Sequence, residues 1–338
     1  MRLVTFEIPT PLGPARRTGA LAGENEVVDL NLARAAQHAA QGRPRFRALA
    51  DAEVPSDMLE LLGGGHYTME AVRDALDFAL VDGTAALDGA AVRHPVADVR
   101  LLAPMPRPNS LRDFLVVEEH LRNCGRTLGR PDGLPPEWYK LPAHYKGNVD
   151  AIYGPGDTVP YPGYTDRLDF ELEICAVVGC HGRHVKAENA HRYIAGYTIY
   201  NDWSARDIQM RESSVGIGPG IGKDFGSSIG PAIATPDEFS TSTSRLTATI
   251  NGELWSDGTL ADMHFSFEQI IEYMSQEADV VPGDLLGSGT IGMGCGFERD
   301  RYLSPGSSVE LEAEGIGVLR NTVAEKTAWR SKIGAPDS

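Results

Sequence analysis

Past about residue 105, hydrophobic and polar positions alternate in short runs, a spacing typical of β-strands with one buried face. The dipeptide Asn251-Gly252 separates two such runs, 246–250 and 253–255, and tolerates the positive φ angles of a type I′ hairpin turn. Pro305-Gly306 leads into another alternating run. Residues 174–178 are continuously apolar, which indicates a strand buried on both faces. These patterns predict that strands outnumber helices in this part of the chain.

Helical spacing is clearest after Ser266, which forms a capping box with Gln269 and precedes apolar residues at 267, 270, 271 and 274. A shorter helix is predicted over 186–195.

A proline-rich segment, APMPRPNS at 103–110, divides the chain, because its prolines impose an extended and stiff connection. Before it, strand candidates at 3–8 and 27–30 and a helical pattern over 69–80 indicate a small α+β unit. The predicted fold class is α+β and mainly β, a β-sandwich or roll with a few covering helices. The predicted domains are a small N-terminal domain, 1–105, and a larger domain, 106–338.

Composition and charge narrow the possible functions. The chain has 338 residues, of which 42% are hydrophobic, enough for a large core. Its net charge is −16 with no cluster of lysine and arginine, so neither nucleic acid nor an anionic membrane is expected as a partner. The N-terminus lacks a signal-peptide pattern, and no apolar run reaches the roughly 20 residues that span a bilayer, which favours a cytoplasmic location. The 4 cysteines form no C-x-x-C pair and are expected to be reduced.

The stretch LDFELEICAVVG at 168–179 places Asp169, Glu171 and Glu173 at alternate positions around the start of the apolar run. On a β-strand these carboxylates share one face, with neighbours about 6.6 Å apart. Like charges this close repel one another. Either water screens them on an exposed face or a cation lies between them, and the pattern alone leaves both explanations open.

A cation at this position needs more oxygen ligands, and two further acids lie beside apolar runs. Asp202 follows IAGYTIYN, and Asp113 lies in NSLRDFL with His120 seven residues further on. Carboxylates without cysteine favour a hard ion, Mg²⁺, Mn²⁺ or Ca²⁺, over Zn²⁺.

Six segments stand out in this order: RDFLVVEEH, LPAHYKGN, DFELEICAVVG, YTIYNDWSARDIQ, GPGIGKDFGSS and GDLLGSGTIG. Together they resemble the fumarylacetoacetate hydrolase family over about residues 112–322. The resemblance implies that family's mixed β-sandwich roll, so that the larger domain is catalytic. It also implies a metal-dependent hydrolase that cleaves a C–C bond in a 1,3-dicarbonyl substrate, and a homodimer, as relatives form.

By position, the resemblance assigns a divalent cation to Asp113, Glu171, Glu173 and Asp202, with Mg²⁺ expected and Mn²⁺ or Ca²⁺ as alternatives. Asp169 does not match a ligand and is left with a structural role.

For catalysis, the resemblance implies that His120 activates water and that Glu298, in GCGFE, orients the imidazole ring. Arg206, Gln209 and Lys223 match positions that stabilise the oxyanion and the enolate.

Plainer explanations stand beside these roles. His120 could be a polar residue that lines a helix, and Arg206 could form a surface ion pair with Asp207. His181 and His184 have a spacing that could bind a metal, but they follow a strand in a predicted turn and are expected to be exposed to solvent.

The resemblance assigns Tyr145 and Thr290 to the substrate's oxygens and Ser227 to support of the cation's ligands. For each of them, a hydroxyl that bonds nearby backbone is the alternative. Family members that cleave fumarylacetoacetate carry an arginine where this chain has Gly129, so the neighbouring Arg130 is the candidate for binding the distal part of the substrate. We therefore expect a different acylpyruvate or β-diketone.

Three functions are compatible with the sequence. Hydrolysis of a C–C bond is favoured, because His120 with an acidic partner suits the activation of water. Decarboxylation or keto–enol tautomerisation of a 2-oxo acid at the same cation is the alternative and needs no attacking water. A module that merely holds Ca²⁺ is disfavoured, because it needs neither Lys223 nor Arg206. The expected partner is a small oxo-acid or diketone substrate.

Overall fold

The computed structural model describes residues 1–81, 86–130, 133–329, 331 and 333. Its N-terminal third mixes short strands with helices. The strands are β1 Arg2–Ile8, β2 Ala15–Ala22, β3 Glu26–Asp29, β4 Ala86–Leu87, β5 Ala90–Ala91, β6 Arg93–Pro95 and β7 Arg100–Leu101. The helices are α1 Leu30–Ala40, α2 Phe46–Glu53, α3 Met58–Gly63 and α4 Gly65–Val81.

Strands predominate in the rest of the chain, as the alternating pattern predicted. They are β8 Ser110–Phe114, β9 His144–Lys146, β10 Ile152–Tyr153, β11 Thr158–Tyr161, β12 Leu168–Asp169, β13 Leu172–Val178, β14 Ile194–Asp202, β15 Ser204–Ala205, β16 Ser227–Ala234, β17 Leu246–Ile250, β18 Glu253–Gly258, β19 Asp284–Gly287, β20 Ser308–Ala313 and β21 Gly317–Lys326. The helices are α5 Glu118–Thr127, α6 Ala187–Ala190, α7 Arg206–Ser213 and α8 Phe267–Met274, with short 3₁₀ turns at Val96–Asp98, Pro136–Tyr139, His191–Tyr193 and Phe297–Arg299.

Two sheets enclose the main core. The larger has 12 strands in the order β6-β3-β2-β1-β16-β14-β13-β19-β8-β9, with β7 beside β1 and β10 beside β16. The smaller has 5 strands in the order β11-β21-β20-β17-β18. Ile174 of β13, Ile199 of β14 and Leu311 of β20 belong to one buried apolar cluster that joins the two sheets. This sandwich with covering helices confirms the predicted fold class.

Strand β13 is buried on both faces, as its continuous apolar run predicted. Ile174 and Ala176 pack toward the smaller sheet, whereas Cys175 and Val177 join a second cluster with residues of the N-terminal helices, such as Leu61. Packing on both faces places Glu173, at the start of the strand, inside the buried interior.

The larger sheet runs across the predicted domain boundary. β1 pairs antiparallel with β16, with Arg2 opposite Ala234. The segments 1–105 and 106–338 thus share one sheet, and their standing as separate domains stays a prediction.

The structure contains the turn and the helix cap that the sequence predicted from neighbouring residues. Asn251 and Gly252 both have positive φ, 51° and 82°, between β17 and β18. Ser266 and Gln269 form the capping box at the start of α8. The helix predicted over 186–195 is wrong in extent, because α6 ends at Ala190 and β14 begins at Ile194. Among the residues that the structure describes, none of the helices has the length and apolar character needed to cross a membrane.

Candidate active site

Neighbouring strands of the larger sheet bring acidic side chains together. Asp113 lies near the end of β8, Glu173 near the start of β13 and Asp202 at the end of β14. β14 pairs with β13, and β19 lies between β13 and β8. Gly287 of β19 is opposite Asp113, and a Cβ atom at this glycine would lie 2.5 Å from Asp113 Oδ1. The absence of a side chain at this position therefore leaves the Asp113 carboxylate room beside Glu173.

Three of the predicted cation ligands form a compact group. One oxygen from each of Asp113, Glu173 and Asp202 lies within 4.8 Å of the others, and all three residues are buried. Glu171, the fourth predicted ligand, is linked to this group by the Lys223 ammonium. That ammonium donates to Glu171 Oε2, and it donates to Asp202 Oδ2 at 2.5 Å.

The acidic stripe that includes Glu171 is not screened by water, because Asp169, Glu171 and Glu173 are exposed by 0%, 4% and 0%. The three acids do not lie on one continuous strand. β12 ends at Asp169 and β13 begins at Leu172, so Glu171 lies in the break between them. From there it reaches Arg206, whose Nη2 donates to Glu171 Oε1 at 2.9 Å.

Burial and mutual repulsion oppose ionisation of the carboxylate group. Burial, followed by the charge of Asp202, raises the pKa of Asp113 to about 7. Burial, followed by the charge of Asp113, raises the pKa of Glu173 well above its usual value. Burial also favours the protonated form of Glu171, but the positive charges of Arg206 and Lys223 outweigh burial and lower the pKa of Glu171.

The carboxylate group fits a hard divalent cation. Glu173 Oε2 and Asp202 Oδ1 are buried and have no hydrogen-bond partner among the described residues. A buried oxygen without a partner costs free energy, which a bound cation would offset for both atoms at once. A set of ligands made only of oxygen suits Mg²⁺, Mn²⁺ or Ca²⁺.

His120 lies beside this group on α5 and is held by Glu298. His120 Nδ1 is 3.0 Å from Glu298 Oε1, and His120 Nε2 is 4.0 Å from Glu171 Oε1. Burial lowers the pKa of His120, but contacts with Cys295 and Glu298 outweigh it and raise that pKa to about 10. Burial raises the pKa of Glu298, but the hydrogen bond from His120 outweighs it and lowers that pKa. The two side chains therefore form a buried, mutually stabilised pair that can hold and transfer a proton.

Two groups that support this pair were not predicted from the sequence. Asn123 Nδ2 donates to Glu298 Oε2 at 2.7 Å, and the backbone N–H of Met293 donates to the same oxygen at 2.8 Å. Asn123 lies three residues after His120 on α5, so helical spacing was a signal that could have identified it.

Asp169 has a defined structural role near the same turn. It accepts hydrogen bonds from the backbone N–H groups of Gly296 and Phe297 at 2.8 and 2.9 Å. Because these residues directly precede Glu298, Asp169 fixes the turn that carries the acid.

Arg206 points inward from the start of α7. Its Nε donates to Asp169 Oδ2 at 2.8 Å and its Nη1 to Gln209 Oε1 at 3.1 Å. The alternative of a surface pair with Asp207 is wrong, since Asp207 accepts a hydrogen bond from Thr165 Oγ1 at 2.5 Å. The Arg206 guanidinium thus neutralises buried acids, and its predicted part in oxyanion stabilisation stays a prediction.

Lys223 is carried by a glycine-rich loop that Glu212 holds in place. The Glu212 carboxylate accepts hydrogen bonds from the backbone N–H groups of Gly220, Ile221 and Gly222 at 2.8, 2.9 and 3.1 Å. This carboxylate was not predicted from the sequence, because the loop closes back onto the helix that precedes it.

A cavity of about 610 Å³ opens beside the carboxylates, and the predicted substrate-binding residues Tyr145, Arg130 and Thr290 all line it. The Tyr145 hydroxyl donates to Asp202 Oδ2 at 2.6 Å, and Thr290 Oγ1 donates to Glu173 Oε1 at 3.2 Å. Both hydroxyls therefore hold proposed cation ligands, and their contact with substrate stays a prediction.

Three further residues considered from the sequence lie apart from the substrate-binding side chains. Ser227 is opposite Asp202 on β16 and contacts the Tyr200 hydroxyl at 3.5 Å. The side chains of His181 and His184 are 65% and 63% exposed, as predicted, and lie outside the cavity wall.

Comparisons with known proteins agree with this architecture. Residues 110–324 match the family model described as fumarylacetoacetate (FAA) hydrolase C-terminal. The mitochondrial oxaloacetate tautomerase FAHD2A of Homo sapiens is 30% identical over 332 residues, which cover 96% of this chain and 91% of that protein. Oxaloacetate tautomerase YisK of Bacillus subtilis (strain 168) is 27% identical over 278 residues, which cover 80% of this chain and 87% of that protein. The crystal structure of a putative HpcE protein from Mycobacterium smegmatis superposes with a TM-score of 0.68 at 25% identity, covering 96% and 99% of the two chains.

Proposed function

This chain belongs to the fumarylacetoacetate hydrolase family, and from that premise we propose that it catalyses the keto–enol interconversion of a small 2-oxo acid such as oxaloacetate. The buried His120–Glu298 pair beside the carboxylate group supports the proposal most directly, because the reaction consists of proton transfers at one carbon and one oxygen. The names of the human and Bacillus relatives support the choice of substrate class.

Asp113, Glu173 and Asp202, together with Glu171, would hold a divalent cation, with Mg²⁺ expected and Mn²⁺ or Ca²⁺ as alternatives. When bound, the cation supplies Lewis-acid positive charge toward the oxygens of the 2-oxo acid.

The chain's own side chains then move the proton. His120 lines the cavity with Nδ1 engaged by Glu298, which leaves Nε2 to exchange a proton with the substrate's C3. Glu298 fixes the ring and stabilises its positive charge. Lys223 and Gln209 lie on the same wall, where an ammonium and an amide can donate to the substrate's oxygens. Arg130 can bind a distal carboxylate.

Hydrolysis of a C–C bond in an acylpyruvate or β-diketone is the second candidate, and the size of the cavity favours it. About 610 Å³ lies within the range of roughly 300–1,000 Å³ that accommodates drug-sized ligands, which is more than a four-carbon acid requires. In this reaction His120 would take a proton from water instead of from carbon.

One set of assays separates the two reactions. Protein with Mg²⁺ or Mn²⁺ is incubated with enol-enriched oxaloacetate and with a series of acylpyruvates, with and without chelator, and products are identified by NMR. We expect chelator-sensitive acceleration of ketonisation, lost in His120→Asn and retained in His181→Asn, the matched change at an exposed histidine. Two carboxylic acids formed from an acylpyruvate would support hydrolysis instead. Neither product above the uncatalysed rate would reject both candidates.

Three other properties remain proposals: a cytoplasmic location, a homodimer, and a small-molecule substrate with neither nucleic acid nor a membrane as a partner. The human relative's name places that protein in mitochondria, so import of this chain into an organelle is the alternative to test.

A further inference from the structure

A second group of metal-ligating side chains lies behind the cavity wall and differs in chemistry from the carboxylates. It consists of His120, Cys124, Cys295 and Glu298, here termed the thiol–imidazole cluster. Ligand atoms of His120, Cys295 and Glu298 lie within 4.8 Å of one another, and all three residues are buried. Cys124 Sγ lies 3.8 Å from His120 Nδ1 and 3.6 Å from His120 Nε2. All cysteines in the described part of the chain are free thiols.

Three pairs of these atoms have separations close to those of a tetrahedral zinc site. With bond lengths of about 2.0 Å to nitrogen or oxygen and about 2.3 Å to sulfur, neighbouring ligand atoms lie about 3.3–3.8 Å apart. Cys295 Sγ is 3.6 Å from Glu298 Oε1, and Cys124 Sγ is 3.8 Å from His120 Nδ1. His120 Nδ1 and Glu298 Oε1, at 3.0 Å, need to separate by only a few tenths of an ångström.

The kind of ligand separates this cluster from the cation site. Cysteine sulfur and imidazole nitrogen favour Zn²⁺, which also accepts a carboxylate ligand, whereas the carboxylate group offers only the hard oxygen ligands that suit Mg²⁺. We propose that the thiol–imidazole cluster is an inhibitory site for Zn²⁺, distinct from the site of the divalent cation that supports turnover.

Binding there would stop proton transfer directly. An ion that occupies His120 Nδ1 and Glu298 Oε1 removes the hydrogen bond through which the acid orients the ring. His120 and Cys124 line the cavity, so the ion can enter from it and reach Cys295 and Glu298 behind. Inhibition rests on the proposed function, whereas zinc binding does not.

The test uses the full chain, reduced with a phosphine and saturated with Mg²⁺. Co²⁺ is then added as a spectroscopic substitute for Zn²⁺. We expect one equivalent of Co²⁺ to give a thiolate-to-cobalt charge-transfer band that Zn²⁺ abolishes by displacement. Cys124→Ser and Cys295→Ser should each weaken binding by at least about tenfold. Cys180→Ser, which changes a half-buried thiol outside the cavity, should bind like the parent chain.

A second readout avoids any doubt about folding of the variants. In the unsubstituted chain, Zn²⁺ should slow alkylation of Cys124, which lines the cavity, but not of Cys180. Absence of the charge-transfer band, its persistence in Cys295→Ser, or equal alkylation rates with and without Zn²⁺ would each overturn the proposal. Zinc binding without loss of turnover would refute only the inhibitory role.

Discussion

Replacing Glu298 with glutamine is expected to remove the proton from Nδ1 of His120. Glu298 Oε2 accepts two N–H donors, from Asn123 at 2.7 Å and from the backbone of Met293 at 2.8 Å. The single carbonyl oxygen of glutamine must therefore occupy that position. Its amide NH₂ group then faces His120 Nδ1, 3.0 Å away, and forces Nδ1 to accept a hydrogen bond. The ring then keeps a proton on Nε2 alone, so it can no longer alternate between a doubly protonated form and a neutral form whose Nε2 is free to accept a proton from the substrate.

The expected loss of kcat can be calculated from the rate contribution of a positioned acid–base group. Such a group contributes about 10²- to 10⁴-fold in rate, or about 2.7–5.4 kcal/mol of transition-state stabilisation. Folding should change by only about 1 kcal/mol, because His120, Asn123 and the Met293 backbone each keep a hydrogen bond and only the weak donation from the Cys295 thiol is lost. The loss should appear in kcat, while KM stays within about threefold.

Steady-state kinetics on the preferred substrate measure this loss, and ¹⁵N NMR of the histidine ring reports the tautomer. Glu277→Gln makes the same change at an exposed acid that pairs with Arg183, and it should leave kcat unaltered. If Glu298→Gln retained kcat within about threefold, or if His120 kept its proton on Nδ1, the assigned role of the pair would be refuted.

Three further changes probe the cation site and its support. Gly287→Ala places a Cβ 2.5 Å from Asp113 Oδ1 and should weaken Mn²⁺ binding by at least about tenfold in a calorimetric titration. Glu173→Gln replaces an anionic ligand of the cation by a neutral amide and should weaken cation binding, so chelator should lower the Tm of the parent chain but not that of the variant. Asp169→Asn removes one of the negative charges that balance the buried Arg206 guanidinium. The free energy of unfolding, measured in urea, should fall by about 3–5 kcal/mol.

Matched controls separate these effects from general damage. Gly63→Ala introduces a Cβ with no atom within 4 Å and should leave Mn²⁺ affinity unchanged. Equal Mn²⁺ affinity in Gly287→Ala and the parent chain would contradict the close packing at β19. A chelator-dependent Tm in Glu173→Gln, or a loss below about 1 kcal/mol in Asp169→Asn, would contradict the corresponding charge assignment.

The sequence predicted the elements whose causes are local. The Asn251-Gly252 hairpin and the Ser266 capping box depend on residues within four positions, and both formed as predicted. The break at Glu171 was missed, because the strand pattern continues through it while its backbone N–H bonds Asn201 Oδ1, 30 residues away. The hydrophobic pattern of residues 168–179 does not show that a distant side chain accepts this hydrogen bond.

In the candidate site, too, the sequence predicted some residues and missed others whose contacts are long-range. Convergence of Asp113, Glu173 and Asp202 was predicted through the family resemblance, and the structure brings them together. Cys295 was missed as a neighbour of His120, because their proximity arises from packing of α5 against a turn more than 170 residues later. Periodicity within one segment contains no information about such contacts.

The claim that the buried carboxylates hold a divalent cation is tested most directly by anomalous scattering from a crystal of the chain grown with Mn²⁺. We predict one peak within about 2.6 Å of oxygens from Asp113, Glu173 and Asp202, with the Lys223 ammonium withdrawn from Asp202. A fully occupied Mn²⁺ elsewhere, with Lys223 still bonded to Asp202, would contradict the claim.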